Sequence, residues 1–208
     1  MTKKPDRYLS AIDVGTSKVC ALISEPTPEG TLRIIGVGTA PSHGMRKGVV
    51  VDIEEASTAI ATAVDKASRM AGCDLSVASV GIAGGHISAV NSRGVVAVSR
   101  ADHYVTQDDI SRAVEAARAV AIPNNREILH VIPRSFVIDG QGGVRNPVGM
   151  LGFRLEVEAH IVTGSTTSIQ NLVRCVERAG VQVGDMVLQP LASSQTALSN
   201  EEKEMGVV

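Results

Sequence analysis

Residues 8–25 read YLSAIDVGTSKVCALISE. An apolar run enters Asp13-Val14-Gly15-Thr16-Ser17-Lys18, and a second apolar run leaves that turn at once, which predicts two strands joined by a tight hairpin. The tip carries residue types suited to phosphate. Gly15 lets the backbone turn and approach a ligand with no Cβ in the way. The amides and hydroxyls of Thr16 and Ser17 can face phosphate oxygens, and Lys18 brings a positive charge. Asp13, at the C-terminal end of the first strand, is suited to holding the hydrated Mg2+ that accompanies a polyphosphate. The turn matches neither GxxxxGK[ST] nor GxGxxG and leads into a strand, so phosphate held at a helix N-terminus is not expected. Asp, Gly, Thr and Ser also favour ordinary turns, and the order of elements downstream has to decide.

That order is informative. Residues 26–30 (PTPEG) read as a turn, 31–40 (TLRIIGVGTA) as a third strand and 44–48 (GMRKG) as a short loop. Asp52, with Glu55 three positions on, opens a helix in which Ile60, Ala63, Val64, Ala67 and Met70 repeat at helical spacing up to Gly72. Residues 77–83 (VASVGIA) predict a fourth strand, apolar enough for burial on both faces. This is the first half of a ribonuclease-H-like β-β-β-α-β layout, an α/β sheet covered by helices. A helix from Thr163 with Ile169, Leu172, Val173, Val176 and Ala179 on one side, a strand over 181–188 and a helix opened by Pro190 complete it.

Between the two halves lies an insertion over 86–158. It reads as a strand at 88–99, a helix capped by Thr106 and Asp109 with a stripe of Ile110, Val114, Ala117 and Val120, and strands at 127–138 and 152–160. Such a strand-helix-strand-strand module has a core of its own.

Composition narrows the function. With 208 residues, 44% apolar and 20% charged, the chain buries a full core in one large domain or two small ones. Its aromatics are only Tyr8, Tyr104, Phe136 and Phe153, and its net charge is −2, so neither base stacking nor general attraction to nucleic acid or anionic membrane is expected. Cys20, Cys73 and Cys175 are scattered and form no CxxC, which disfavours disulfides and zinc and suits a reducing cytoplasm. Cys20 and Cys175 read as small core residues. His43, His86, His103, His130 and His160 never fall at metal-ligand spacing. Neither a membrane-spanning run nor a cleavable leader is read at MTKKPDR or beyond, and a cytoplasmic location is expected.

The hairpin resembles the first phosphate loop of the actin, Hsp70 and sugar-kinase superfamily. With the insertion placed after the fourth strand, the resemblance narrows to the FtsA family of actin-like bacterial cell-division proteins. The segments IIGVGTAPSHGMRKGVVVD (34–52), GIAGGHISAVNSRGVV (81–96), REILHVIPRSFVIDGQGGVRNPVGMLG (126–152) and LASSQTALSNEEKEMGVV (191–208) are similar to that family in order and spacing. The resemblance implies an actin/Hsp70-type subdomain 1A (1–85 and 159–200), an inserted SHS2-like subdomain 1C (86–158) and the start of subdomain 2A (201–208). It also implies that the second phosphate loop, the adenosine pocket, subdomain 2B and a membrane-binding helix belong to a part not included in this chain.

Several functions follow from the resemblance. The family binds ATP with Mg2+, self-associates into filaments, tethers FtsZ to the cytoplasmic face of the inner membrane at the septum, and meets later division proteins such as FtsN through 1C. Asp13, Gly15, Thr16, Ser17 and Lys18 match its first phosphate loop. FtsZ is contacted through 2B. Gln189 stands where related proteins place a residue that orients attacking water; as a residue read alone it also suits a helix cap. Binding without efficient turnover is expected. A small-molecule kinase and an interaction module with a non-functional half-site are the alternatives. The glycines of Gly81-Ile82-Ala83-Gly84-Gly85-His86 read better as a hinge into the insertion than as a second phosphate loop.

Overall fold

A computed structural model describes residues 8–207, so the MTKKPDR segment and Val208 lie outside the described residues. The chain divides into two compact units. One contains the residues up to His86 and those from Thr166 onward, and the other is Ile87–Ser165.

The first unit opens with β1 (Leu9–Val14), β2 (Lys18–Pro26) and β3 (Leu32–Pro41), followed by a two-residue hairpin, β4 (Met45–Arg46) and β5 (Val49–Val50), inside the expected loop. Helix α1 (Ile53–Ala71) and strand β6 (Val77–Ile82) follow. The second unit holds β7 (Ser88–Ala97), α2 (Gln107–Arg118), β8 (Arg126–Ile138), β9 (Gln141–Val144) and β10 (Arg154–Ser165). The chain returns to the first unit with α3 (Thr166–Arg178), β11 (Gln182–Leu188), α4 (Gln189–Ala197) and α5 (Asn200–Met205).

In the first unit five strands lie in the order β11-β6-β1-β2-β3. Strands β1 to β3 form an antiparallel meander, while β6 runs parallel to β1 and β11 parallel to β6. One face carries buried Ile12, Val14, Val19, Ala21, Ile23, Ala78, Val80 and Ile82. Helix α1 buries Ala56, Ala59, Ile60, Ala63, Val64 and Ala67, and packs on β2 and β3 and against α3. Its alanines have a reason: a Cβ on Gly38 of β3 would stand 1.9 Å from the Ala63 carbonyl oxygen, so helix and strand backbones touch where bulk is missing on both sides. Asp52 caps α1 by accepting from the Glu54 and Glu55 amides at 2.9 and 3.0 Å. Met70, expected in the apolar stripe, is exposed in the last turn before Gly72.

Strand β6 corrects the expectation of burial on both faces. Ala78, Val80 and Ile82 are buried, whereas Val77 is 49% exposed and Ser79 and Gly81 are half-buried. Cys20 on β2 is likewise only half-buried, in contrast to the fully buried Cys175 on α3. The small residues at 79 and 81 leave an open face where two-sided coverage was expected.

The second unit is an antiparallel sheet in the order β7-β10-β8-β9 with α2 against β7 and β10. Its core is Val98, Val105, Ala113, Ala117, Phe136, Ile138, Val144, Leu155, Val157 and Ala159. Strand β9 is additional to the expected pattern, and Val120 falls beyond α2, which ends at Arg118. Strand β10 runs to Ser165 because Thr163 still pairs with Ser88 and Ile128, so α3 starts at Thr166 and the unit closes beyond residue 158. At the other end, residues 200–205 form helix α5, with a capping box between Ser199 and Glu202. No strand forms among the described residues of 201–208.

Candidate functional site

Strand register brings the open face together. Asp13 pairs with Cys20 on one side and Gly81 on the other, and Gly81 pairs with Val187. Residues alternate across a sheet, so Ala11, Asp13, Ser79 and Gly81 share the face turned away from buried Ile12 and Val80. Gln189 follows β11 directly as the first residue of α4, which has Pro at its N-terminal turn as expected. Its Nε2 donates to Asp13 Oδ1 at 2.5 Å. The N-cap of α4 is Leu188, so Gln189 reaches across the sheet instead of capping its helix.

Gly81 lies under this bond. A Cβ there would stand 3.1 Å from Asp13 Oδ1 and 3.1 Å from Gln189 Cγ. Its place is thus the floor of a cleft, not part of a hinge. The cleft, of about 400 Å³, is lined by Asp13, Ser79, Gly81, Val187, Gln189 and Ser193 among others.

The hairpin tip adjoins Asp13. The Gly15 amide donates to the Lys18 carbonyl at 3.0 Å, and a Cβ on Gly15 would stand 2.9 Å from that same oxygen. Glycine is required there by space, and its amide is used within the turn instead of facing outward. Thr16, Ser17 and Lys18 are exposed. Lys18, two residues before Cys20 on β2, falls on the same face as Asp13. The Thr16 hydroxyl accepts from the Gly48 amide at 3.3 Å, and the Ser42 amide donates to the Ser17 carbonyl at 3.1 Å. The fold therefore brings together all the sequence candidates, Asp13, Gly15, Thr16, Ser17, Lys18 and Gln189. It adds Gly81 and the segment 42–48, which sequence reading left as loop or hinge. The small-residue alternation of Ser79 and Gly81 in an otherwise apolar strand was the available signal.

These residues fit a phosphate-bearing ligand with a divalent cation. Gly15 and Gly81 stand where a Cβ would crowd the Lys18 carbonyl in the turn and the Asp13 and Gln189 side chains in the cleft. An exposed carboxylate stands beside an exposed lysine and hydroxyls, a donor set of oxygen ligands for a hard cation and hydrogen-bond donors for an anion. Among the described residues there is no cluster of three His, Cys, Asp or Glu that could hold a metal directly, so a cation here would rely on water and ligand oxygens as well.

Comparison with known proteins bears on the family of the chain. Residues 84–163 match the family described as "SHS2 domain inserted in FTSA". The chain is 48% identical over 197 residues to the cell division protein FtsA of Borreliella burgdorferi, covering 95% of this chain and 48% of that protein. It is 47% identical over 201 residues to FtsA of Pseudomonas aeruginosa, covering 97% of this chain and again 48% of the relative. A chain of the PilM-PilN type IV pilus biogenesis complex shares the fold with a TM-score of 0.59 at 12% identity, over 90% of this chain and 49% of that one. The chain thus spans about half the length of the curated relatives it matches. Over that half, and across nearly all of its own length, it belongs to the FtsA family of cell division proteins.

Proposed function

We propose that this chain supplies one wall of an ATP site in an FtsA-like cell-division protein, and that it binds Mg-ATP through the hairpin at 15–18. The observation that carries this reading is the convergence of Asp13, Gln189 and Gly81 beside the hairpin tip. The Thr16 and Ser17 amides and hydroxyls and the Lys18 ammonium hold phosphate oxygens. Asp13 holds the hydrated Mg2+ that neutralises them. Gln189, an amide with no useful basicity, can orient a water but cannot deprotonate it, which favours binding over rapid turnover.

The wider role extends beyond the half of the family that this chain spans. In the full protein this site would govern self-association, while tethering of FtsZ to the cytoplasmic face of the inner membrane would rest on the other half. The second unit, a separately cored module, would meet later division proteins such as FtsN. Among the described residues no helix is long and apolar enough to cross a membrane.

Calorimetric titration of Mg-ATP into this chain, beside Lys18→Ala, tests the site. Binding that weakens at least tenfold in the variant supports the reading. Binding unchanged by Lys18→Ala moves the nucleotide elsewhere, and no binding by either leaves the chain as an interaction module.

A further inference from the structure

We propose that the hairpin turn Arg46-Lys47-Gly48 is a second arm of the phosphate site, contributing Arg46 and Lys47 as cationic contacts to the polyphosphate. The proposal rests on the nucleotide reading above and extends it to residues that the phosphate-loop resemblance does not include.

Four observations converge on this turn. First, it is fastened to the phosphate hairpin: the Gly48 amide donates to Thr16 Oγ1 at 3.3 Å, and Ser42, just upstream, donates to the Ser17 carbonyl at 3.1 Å. A hydroxyl offers one donor and two acceptor lone pairs, so Thr16 can accept from Gly48 and still donate its proton to a phosphate oxygen. Lys47 directly precedes the Gly48 amide that meets Thr16, which places an anion held by Thr16 within reach of a four-carbon lysine stem.

Second, the turn is built against local preference. Lys47 has φ 50 and Gly48 φ 76, the paired left-handed conformation of a two-residue hairpin. Asn, Asp or Gly is the usual choice at the first position, because a side chain with a Cβ is strained there. A lysine held in that conformation is the kind of local strain that accumulates at ligand sites.

Third, the backbone of the turn is pinned from behind. A Cβ on Gly48 would stand 2.2 Å from the Ala83 carbonyl oxygen, and one on Gly84 would stand 2.8 Å from the Lys47 carbonyl oxygen. The turn is wedged between the Thr16 hydroxyl and the end of the segment leaving β6. That gives its cations a defined place beside the hairpin.

Fourth, Arg46 and Lys47 are exposed and form no ion pair among the described residues. The nearest acid along the chain, Asp52, is occupied with capping α1. Two uncompensated cations on a pinned turn next to phosphate donors suit a multiply charged anion, with Arg able to grip it through two N–H groups.

The test is a two-dimensional amide NMR titration of this chain with sodium tripolyphosphate and with Mg-ATP, comparing wild type, the double variant R46Q/K47Q and Lys18→Ala. We expect the amides of Thr16, Ser17, Lys47 and Gly48 to shift together along one binding curve. R46Q/K47Q should weaken tripolyphosphate at least fivefold while leaving the rest of the spectrum in place. Shifts confined to 15–18, or an unaltered affinity in R46Q/K47Q, would overturn the second arm and leave the nucleotide reading standing. Absence of shifts at both segments would overturn both.

Discussion

Gln189 Nε2 donates to Asp13 Oδ1 at 2.5 Å, tying together residues 176 positions apart in the chain. The bond gives the two side chains different duties. On the proposed reading Asp13 supplies the charge a cation needs, whereas Gln189 meets the ligand site only through its hydrogen bond to that carboxylate and through water. Asp13→Ala should therefore weaken Mg-ATP binding at least about tenfold, the scale of one charge-assisted contact. Gln189→Ala should leave affinity within about threefold, or about 0.6 kcal/mol. Parallel titrations with and without Mg2+ check this, and equal losses in the two variants would count against the division of roles.

Much of this arrangement is legible in the residues themselves, and the parts that are not have physical reasons. The alternation of YLSAIDV, the glycine turn and the second apolar run specify β1 and β2, because period-two patterning and turn chemistry are local signals. The meeting of Asp13 with Gln189 follows only from the parallel pairing of β1, β6 and β11, a long-range event with no local mark. Strand β6 misleads in isolation: VASVGI is nearly all apolar, yet Ser79 and Gly81 are small and a cleft lies above them. Thr16 and Gly48 likewise meet across a tertiary contact, and a two-residue strand such as β4 or β5 is too short to show a period.

Gly81→Ala tests the floor of the cleft. Its new Cβ would meet Asp13 Oδ1 and Gln189 Cγ at 3.1 Å each, closer than a relaxed contact permits. The pair must spread, so we expect a stability loss of about 1 kcal/mol in urea unfolding, at the low end of overpacking costs. A several-fold loss of Mg-ATP affinity should accompany it. Unchanged stability and affinity would mean that the two side chains move aside freely.

Cysteine reactivity should separate the two faces of the first unit. Cys175 is fully buried, its Sγ donates to the Ile53 carbonyl at 3.8 Å, and burial pushes its thiol pKa up despite a hydrogen bond from Ser57. Cys20 and Cys73 are only half-buried. In a timed reaction with a thiol-disulfide reagent at pH 8, Cys175 should react at least about 100-fold more slowly than either, until the chain unfolds. Fast native-state labelling of Cys175 would show that α3 opens locally.

The second unit buries Asp109, a carboxylate with no exposed surface. Burial alone would raise its pKa, but hydrogen bonds outweigh that cost and hold it well below the usual carboxylate range. The Thr106 amide and hydroxyl donate to Oδ2 at 2.8 and 2.7 Å, the Ser99 hydroxyl donates to Oδ1 at 3.2 Å, and Arg112 donates to Oδ1 as well. A pKa depressed by folding stabilises the folded state fully above the unfolded value of about 3.9 and loses that contribution as pH falls below it. Asp109→Ala removes the partner of every one of these donors and should cost about 3 kcal/mol at pH 7, as breaking a buried, hydrogen-bonded ion pair does. Thermal melts of the wild type and Asp109→Ala should therefore differ widely at pH 7 and by less at pH 3, the rest of the gap being lost only as pH falls further, through the folded-state value. A gap that stayed constant across that range would mean that the side chain contributes through packing and not through its charge.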